Sequence, residues 1–106
     1  MCIRDRARTR FLTELAAEVR SLDKERLVTA ALLVRNGGPH QKIVDDPLGA
    51  ALDVLGMNEY IGWYEGKPES ADEEQWTIEY QKPVIVSEFG GGAKACLLYT
   101  SDAADE

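Results

Sequence analysis

Lys82-Pro83-Val84-Ile85-Val86-Ser87-Glu88-Phe89-Gly90-Gly91-Gly92 is an apolar run that ends on a carboxylate and then breaks into glycines. Pro83 and Gly90 bracket it as a strand, and the unbroken apolar stretch predicts burial on both faces, as in parallel sheets wrapped by helices. Glu88 then stands at the strand's carboxyl end. Barrels and open α/β sheets place their chemistry there, because loops converge on a ligand while strands hold the geometry. Taken on periodicity alone, a strand-end glutamate simply faces water. The three glycines set this one apart, since they leave room for close approach and let the backbone take unusual dihedrals.

Outward from that strand, the two ends of the chain read differently from the rest. Met1-Cys2-Ile3-Arg4-Asp5-Arg6 and residues 96–106, Cys96 to Glu106, resemble translations in opposite directions of a transposase-type sequencing adapter. Both are set aside from fold reasoning, as a fusion scar would be, which leaves 7–95 as the stretch that carries the fold. The 106 residues hold 12 basic and 19 acidic side chains, a formal net charge of −7. Without the ends, two of the former and four of the latter drop out, and the interior stays acidic at about −5. No basic face is offered to a phosphate backbone, so nucleic acid is not an expected partner. Both cysteines lie in the set-aside ends, so neither a redox compartment nor a disulfide is inferred. No run approaches a membrane span, and either a cytoplasmic or a secreted parent fits.

From Arg8 to Leu22, Phe11, Leu12, Leu15, Ala16 and Val19 recur at helical spacing between charged residues, which predicts an amphipathic helix. After a polar break, roughly Leu27 to Leu32 reads as a buried strand, with a helix the alternative that its alanines and leucines leave open. Asn36-Gly37-Gly38-Pro39-His40 is a loop by composition. His40, the only histidine, lacks ligand neighbours at metal spacing and is assigned no metal. Asp45-Asp46-Pro47 opens a short turn or helix through Ala51, its aspartates a solvated cap. Leu52 to Tyr60 reads as a second strand, continuing through Ile61-Gly62-Trp63-Tyr64 into an aromatic loop. Ala71 to Tyr80 reads as a short helix with Trp76 in the core, and Asp72, Glu73 and Glu74 suit its first turn.

This alternation predicts an α/β fold of parallel strands joined by crossovers, without hairpins. Its second and third strands then end side by side, one carrying Asn58 to Tyr64 and the other Ser87 to Gly92. Carboxylates, an amide, a phenol and an indole would meet there. Sugar sites use such a set, with carboxylates for chemistry, amides and phenols for hydroxyls, and aromatic faces for the C–H side of a pyranose.

Leu22 to Thr29, the block Leu52-Asp53-Val54-Leu55-Gly56-Met57-Asn58-Glu59-Tyr60-Ile61-Gly62-Trp63-Tyr64, and Lys82 to Gly90 resemble, in that order, the catalytic barrel of glycoside hydrolase family 2. That family holds β-glucuronidases and β-galactosidases, and the N-x-Y-x-G-W-Y pattern is similar to its glucuronidase-like branch. The resemblance implies a partial (β/α)8 TIM barrel, about strands five to seven, cut from a longer retaining β-glycosidase. It implies Glu88 as the nucleophile that forms a covalent glycosyl-enzyme, with Tyr60 as the hydroxyl that aims it. Asn58 and Trp63 match positions that bind the sugar. The substrate implied is a β-glycoside, no cofactor is called for, and a homo-oligomeric parent is compatible.

Asn58-Glu59 has the appearance of the Asn-Glu pair that carries the acid/base in this superfamily, but that pair belongs on the fourth strand and Glu59 lies within the sixth-strand block. Alternation also separates Glu59 from both Asn58 and Tyr60. The acid/base is therefore expected upstream of Ala7, and the chain as written is expected to be inactive. Three strands of eight would leave two unpaired edges, which predicts low stability in isolation. A phosphate-binding module is the rival from another class, on the strength of Gly90-Gly91-Gly92-Ala93-Lys94. Against it, no G-x-G-x-x-G or G-K-[ST] is present, and a carboxylate before the glycines would repel phosphate. A non-catalytic carbohydrate-binding relative is the third reading.

Overall fold

The computed structural model describes residues 2–91, so Gly92, Lys94 and the segment 96–106 lie outside the described residues. In chain order these hold helix α1 (Ile3–Leu22) and strands β1 (Thr29–Ala31), β2 (Arg35–Gly38), β3 (Gln41–Val44), β4 (Val54–Glu59), β5 (Gln75–Ile78) and β6 (Val84–Phe89). Short 3-10 turns at Pro47–Ala51 and Pro68–Glu73 precede β4 and β5. The fold is mixed α/β, one helix with two small sheets.

The first sheet has the order β1-β4-β6 and is parallel throughout, so its members fall within the three stretches expected as strands, although β1, expected to be buried over Leu27 to Leu32, spans only Thr29–Ala31 and is mostly exposed. Gly56 on β4 lets β1 approach closely, since a Cβ there would stand 2.6 Å from the Ala30 carbonyl oxygen. The second sheet has the order β2-β3-β5. It corrects three expectations. Residues 36–40 are part of an antiparallel β2–β3 hairpin rather than a plain loop, turned by Gly38 at φ 145° and His40 at φ 54°. Gln75 to Ile78, expected as helix, is instead a strand paired in parallel with β3, because the β-branched Thr77 and Ile78 opposite Ile43 and Val44, with the aromatic Trp76 opposite Lys42, fit a pleated surface better than a helix. Trp76, expected in the core, is 37% exposed.

The core gathers Leu32, Val44, Leu48, Leu52, Leu55 and Met57, with Leu12, Val28, Ala30, Ile78 and Tyr80 packed around it. No glycine or proline interrupts Ile3 to Leu22, so α1 begins well before Arg8. It docks through Leu12 and the buried Ala16, while Phe11, Leu15 and Val19 stay largely exposed. Ion pairs anchor it near both ends, Arg8 on Asp46 at 2.9 Å and Arg20 on Asp53 at 3.2 Å.

Asp46 is not the solvated cap its sequence suggests. It is buried, takes both Arg8 N–H groups at 3.0 and 2.9 Å, and accepts from the Leu33 and Leu48 backbone at 3.0 and 3.1 Å. Lys82 likewise works at long range, donating to the carbonyls of Gly49, Ala50 and Leu52 and closing the first 3-10 turn. The prediction of burial on both faces fails for β6, which is exposed along its whole length. Among the described residues it pairs only with β4 and lies at the sheet edge.

Candidate functional site

Parallel pairing brings the carboxyl ends of β4 and β6 together. The ladder runs Leu55 opposite Val84, Gly56 opposite Ile85 and Met57 opposite Val86, then skips Ser87, so that Asn58 faces Glu88 and Glu59 faces Phe89. Such a bulge adds one residue to one strand and re-aims the side chains beyond it. The extra residue is held, since the Ser87 hydroxyl lies 2.7 Å from Asn58 Oδ1 and 3.1 Å from the Met57 carbonyl oxygen. With a single proton, it donates to one of these at a time.

Beyond the bulge the Tyr60 hydroxyl donates to Glu88 Oε2 across the strand ends. Donation to the Glu88 carboxylate raises the Tyr60 phenol above its ordinary value, helped by partial desolvation and the negative charge of Glu88. The phenol therefore stays protonated, and so able to donate, throughout the neutral range.

Tyr60 is also packed from the side. The Trp63 and Tyr64 rings meet it edge-on, with centroids at 5.6 and 5.3 Å. Those two rings stack on each other at 4.4 Å and 19°. The loop that presents them is a compact turn in which Trp63 and Tyr64 N–H bond the Tyr60 carbonyl at 3.0 and 3.1 Å, and Gly62 N–H bonds that of Glu65 at 2.7 Å. Gly62 at φ 90° supplies a dihedral that other residues avoid. The result is an exposed aromatic step beside a carboxylate.

Of the residues singled out from the sequence, Tyr60 and Glu88 are in hydrogen-bond contact, Trp63 lies against Tyr60, and Asn58 is opposite Glu88 in register and bonded to Ser87. Glu59 is turned away to Lys42, 3.4 Å from its ammonium. Ser87 and Tyr64 were not singled out. Ser87 did carry a signal, as the one small polar residue in an apolar strand. Lys42 carried none, being a lysine beside Ile43 and Val44 like many on strand surfaces.

His40 sits at the hairpin tip, 3.4 Å from both Glu73 and Glu74. Among the described residues no group of three or more His, Cys, Asp or Glu is placed to hold a metal, and no helix is long and apolar enough to cross a membrane. No known protein family matches the chain, and no curated protein matches it.

Proposed function

We propose that the chain supplies the nucleophile half of a retaining β-glycosidase, with Glu88 as the attacking carboxylate. The observation that carries this reading is the hydrogen bond from Tyr60 to Glu88 at the carboxyl ends of adjacent parallel strands. The resemblance of the three sequence blocks to glycoside hydrolase family 2 supports it. On this reading β1, β4 and β6 are the fifth, sixth and seventh strands of a (β/α)8 barrel.

In the reaction, a Glu88 oxygen forms a bond to the anomeric carbon while the bond from that carbon to the leaving oxygen breaks, giving a glycosyl ester. Water then hydrolyses the ester and regenerates the carboxylate. Tyr60 holds the attacking group in line. Asn58, its carbonyl engaged by Ser87, offers N–H donors to a sugar hydroxyl, and Trp63 a wall for the ring's C–H face. Glucuronides are the favoured substrates and galactosides the alternative. A second carboxyl, about 5–5.5 Å from the first, has to protonate the leaving oxygen. It is expected from upstream of Ala7, because Glu59 is engaged by Lys42.

A leaving group that departs without protonation bypasses the missing acid. Dinitrophenyl 2-deoxy-2-fluoro-β-glucuronide and the matching galactoside should therefore form a glycosyl adduct, found by mass spectrometry on the peptide holding Glu88 and absent from E88Q. No adduct with either reagent, or an unchanged adduct in E88Q, overturns the proposal. The exposed Trp63–Tyr64 stack favours a second reading, sugar binding without chemistry, for which reversible binding and no adduct is the signature.

A further inference from the structure

The hydrogen bond between Tyr60 and Glu88 needs the aromatic loop to be held in place, and its two ends meet one buried side chain. Lys42 on β3 is only 3% exposed. Its ammonium donates to Glu65 at 2.5 Å and to Asn36 at 3.0 Å, and stands 3.4 Å from Glu59. Glu59 immediately precedes Tyr60, and Glu65 immediately follows Tyr64. Between them the loop is closed by its own backbone hydrogen bonds, so it can move as a unit only by shifting at those ends.

A lysine this deeply buried is rare unless paired. Burial alone would lower its pKa, but the hydrogen bond to Glu65 and the charges of Glu59 and Glu65 outweigh that and raise it, so the ammonium stays charged. Glu59 depends on it in turn, because the Glu59 Oε2 atom is buried and has no hydrogen-bond partner. Without the cation, that carboxylate would be an uncompensated buried charge and would turn toward water, taking the start of the loop with it.

We propose that Lys42 is a positioning residue: by gripping Glu59 and Glu65, the two ends of the aromatic loop, it holds the Tyr60 hydroxyl against Glu88. Its bearing on catalysis rests on the nucleophile role proposed for Glu88. The contact also joins the two sheets, since Lys42 belongs to the second and Glu59 to the first.

The test is the titration of Tyr60 followed by 13Cζ-tyrosine NMR in the full chain, with Y60F to assign its resonance. Glu88 and Tyr64 are the titratable groups facing that phenol, and E88A, which leaves the hydroxyl no side-chain acceptor, defines the midpoint once the hydrogen bond is gone. In K42M the raised midpoint should be lost and fall toward the E88A value. Removing a nearby cation would by itself push a phenol upward, so a fall reports the lost hydrogen bond and not the lost charge. Should K42M fail to fold, K42M/E59Q/E65Q, which leaves no unpaired buried ion, is read in its place with the same expected fall. A folded variant whose Tyr60 midpoint stays at or above the wild-type value overturns the proposal, as does failure of both variants to fold, because Lys42 then holds the fold and not the loop. The glycosyl-trapping result is independent of this titration. Loss of the raised midpoint without trapping in the wild type leaves Lys42 its role and removes the glycosidase reading.

Discussion

The Tyr60 hydroxyl restricts the directions in which the Glu88 oxygens point, and on the proposed function that carboxylate is the nucleophile. Tyr60→Phe deletes that donor and leaves the ring packing on Trp63 and Tyr64, so glycosyl-enzyme formation should slow by about tenfold, as read from the rate of adduct appearance. Asp46 makes a different kind of prediction. Burial pushes its carboxyl up, but hydrogen bonds from Arg8, Leu33 and Leu48 and the Arg8 charge more than offset this and hold it below its ordinary value. A carboxyl lowered on folding stabilises fully above its unfolded value of about 3.9, and that contribution is lost as pH falls through the folded value. Asp46→Asn should cost about 2 kcal/mol at neutral pH, a moderated figure because Arg8 remains partly in water. It should also flatten the fall in stability below about pH 4, measured by urea denaturation across pH. Glu88 and Tyr60 could be singled out in the sequence because their neighbours form a linear pattern. Asp46 and Lys42 could not, since their partners lie far along the chain and a charged residue's burial leaves no local mark.

Among the elements, β1, β4 and β6 were legible as apolar runs ending in turn residues, and their parallel order follows from the connections between them. The β2–β3 hairpin and β5 were not. Asn36 to His40 has loop composition because a tight hairpin turn uses the same residues as a loop, and the acidic stretch Asp72 to Glu74 suits a helix start as well as a 3-10 turn. Pairing with β3 decided the matter, a tertiary contact overriding local preference. The contact between β1 and β4 is close enough to be tested directly. Gly56→Ala would place a methyl 2.6 Å from a backbone oxygen that cannot rotate aside. We expect a loss of about 1–3 kcal/mol by chemical denaturation.

At the scale of the molecule, buried apolar residues concentrate between β4, β3 and the first 3-10 turn, while Val84, Ile85 and Val86 on β6 and Phe11 on α1 remain exposed. An apolar edge strand is a template for pairing with other chains, and charges on such edges are the usual remedy. Ile85→Lys should therefore raise the concentration at which the protein associates, followed by light scattering at fixed salt. The barrel expectation and this exposure are linked, because in a closed barrel β6 would have a second neighbour.

The skipped residue at Ser87 has a kinetic counterpart in deuterium exchange. Along a strand with one neighbour, every other amide is tied to the ladder and the rest face solvent, so β6 should show alternating slow and fast sites. At Ser87 the alternation slips by one place, because the pairing resumes one residue late. The beat of exchange would thus mark where the strand stops following the sheet and begins to serve Glu88.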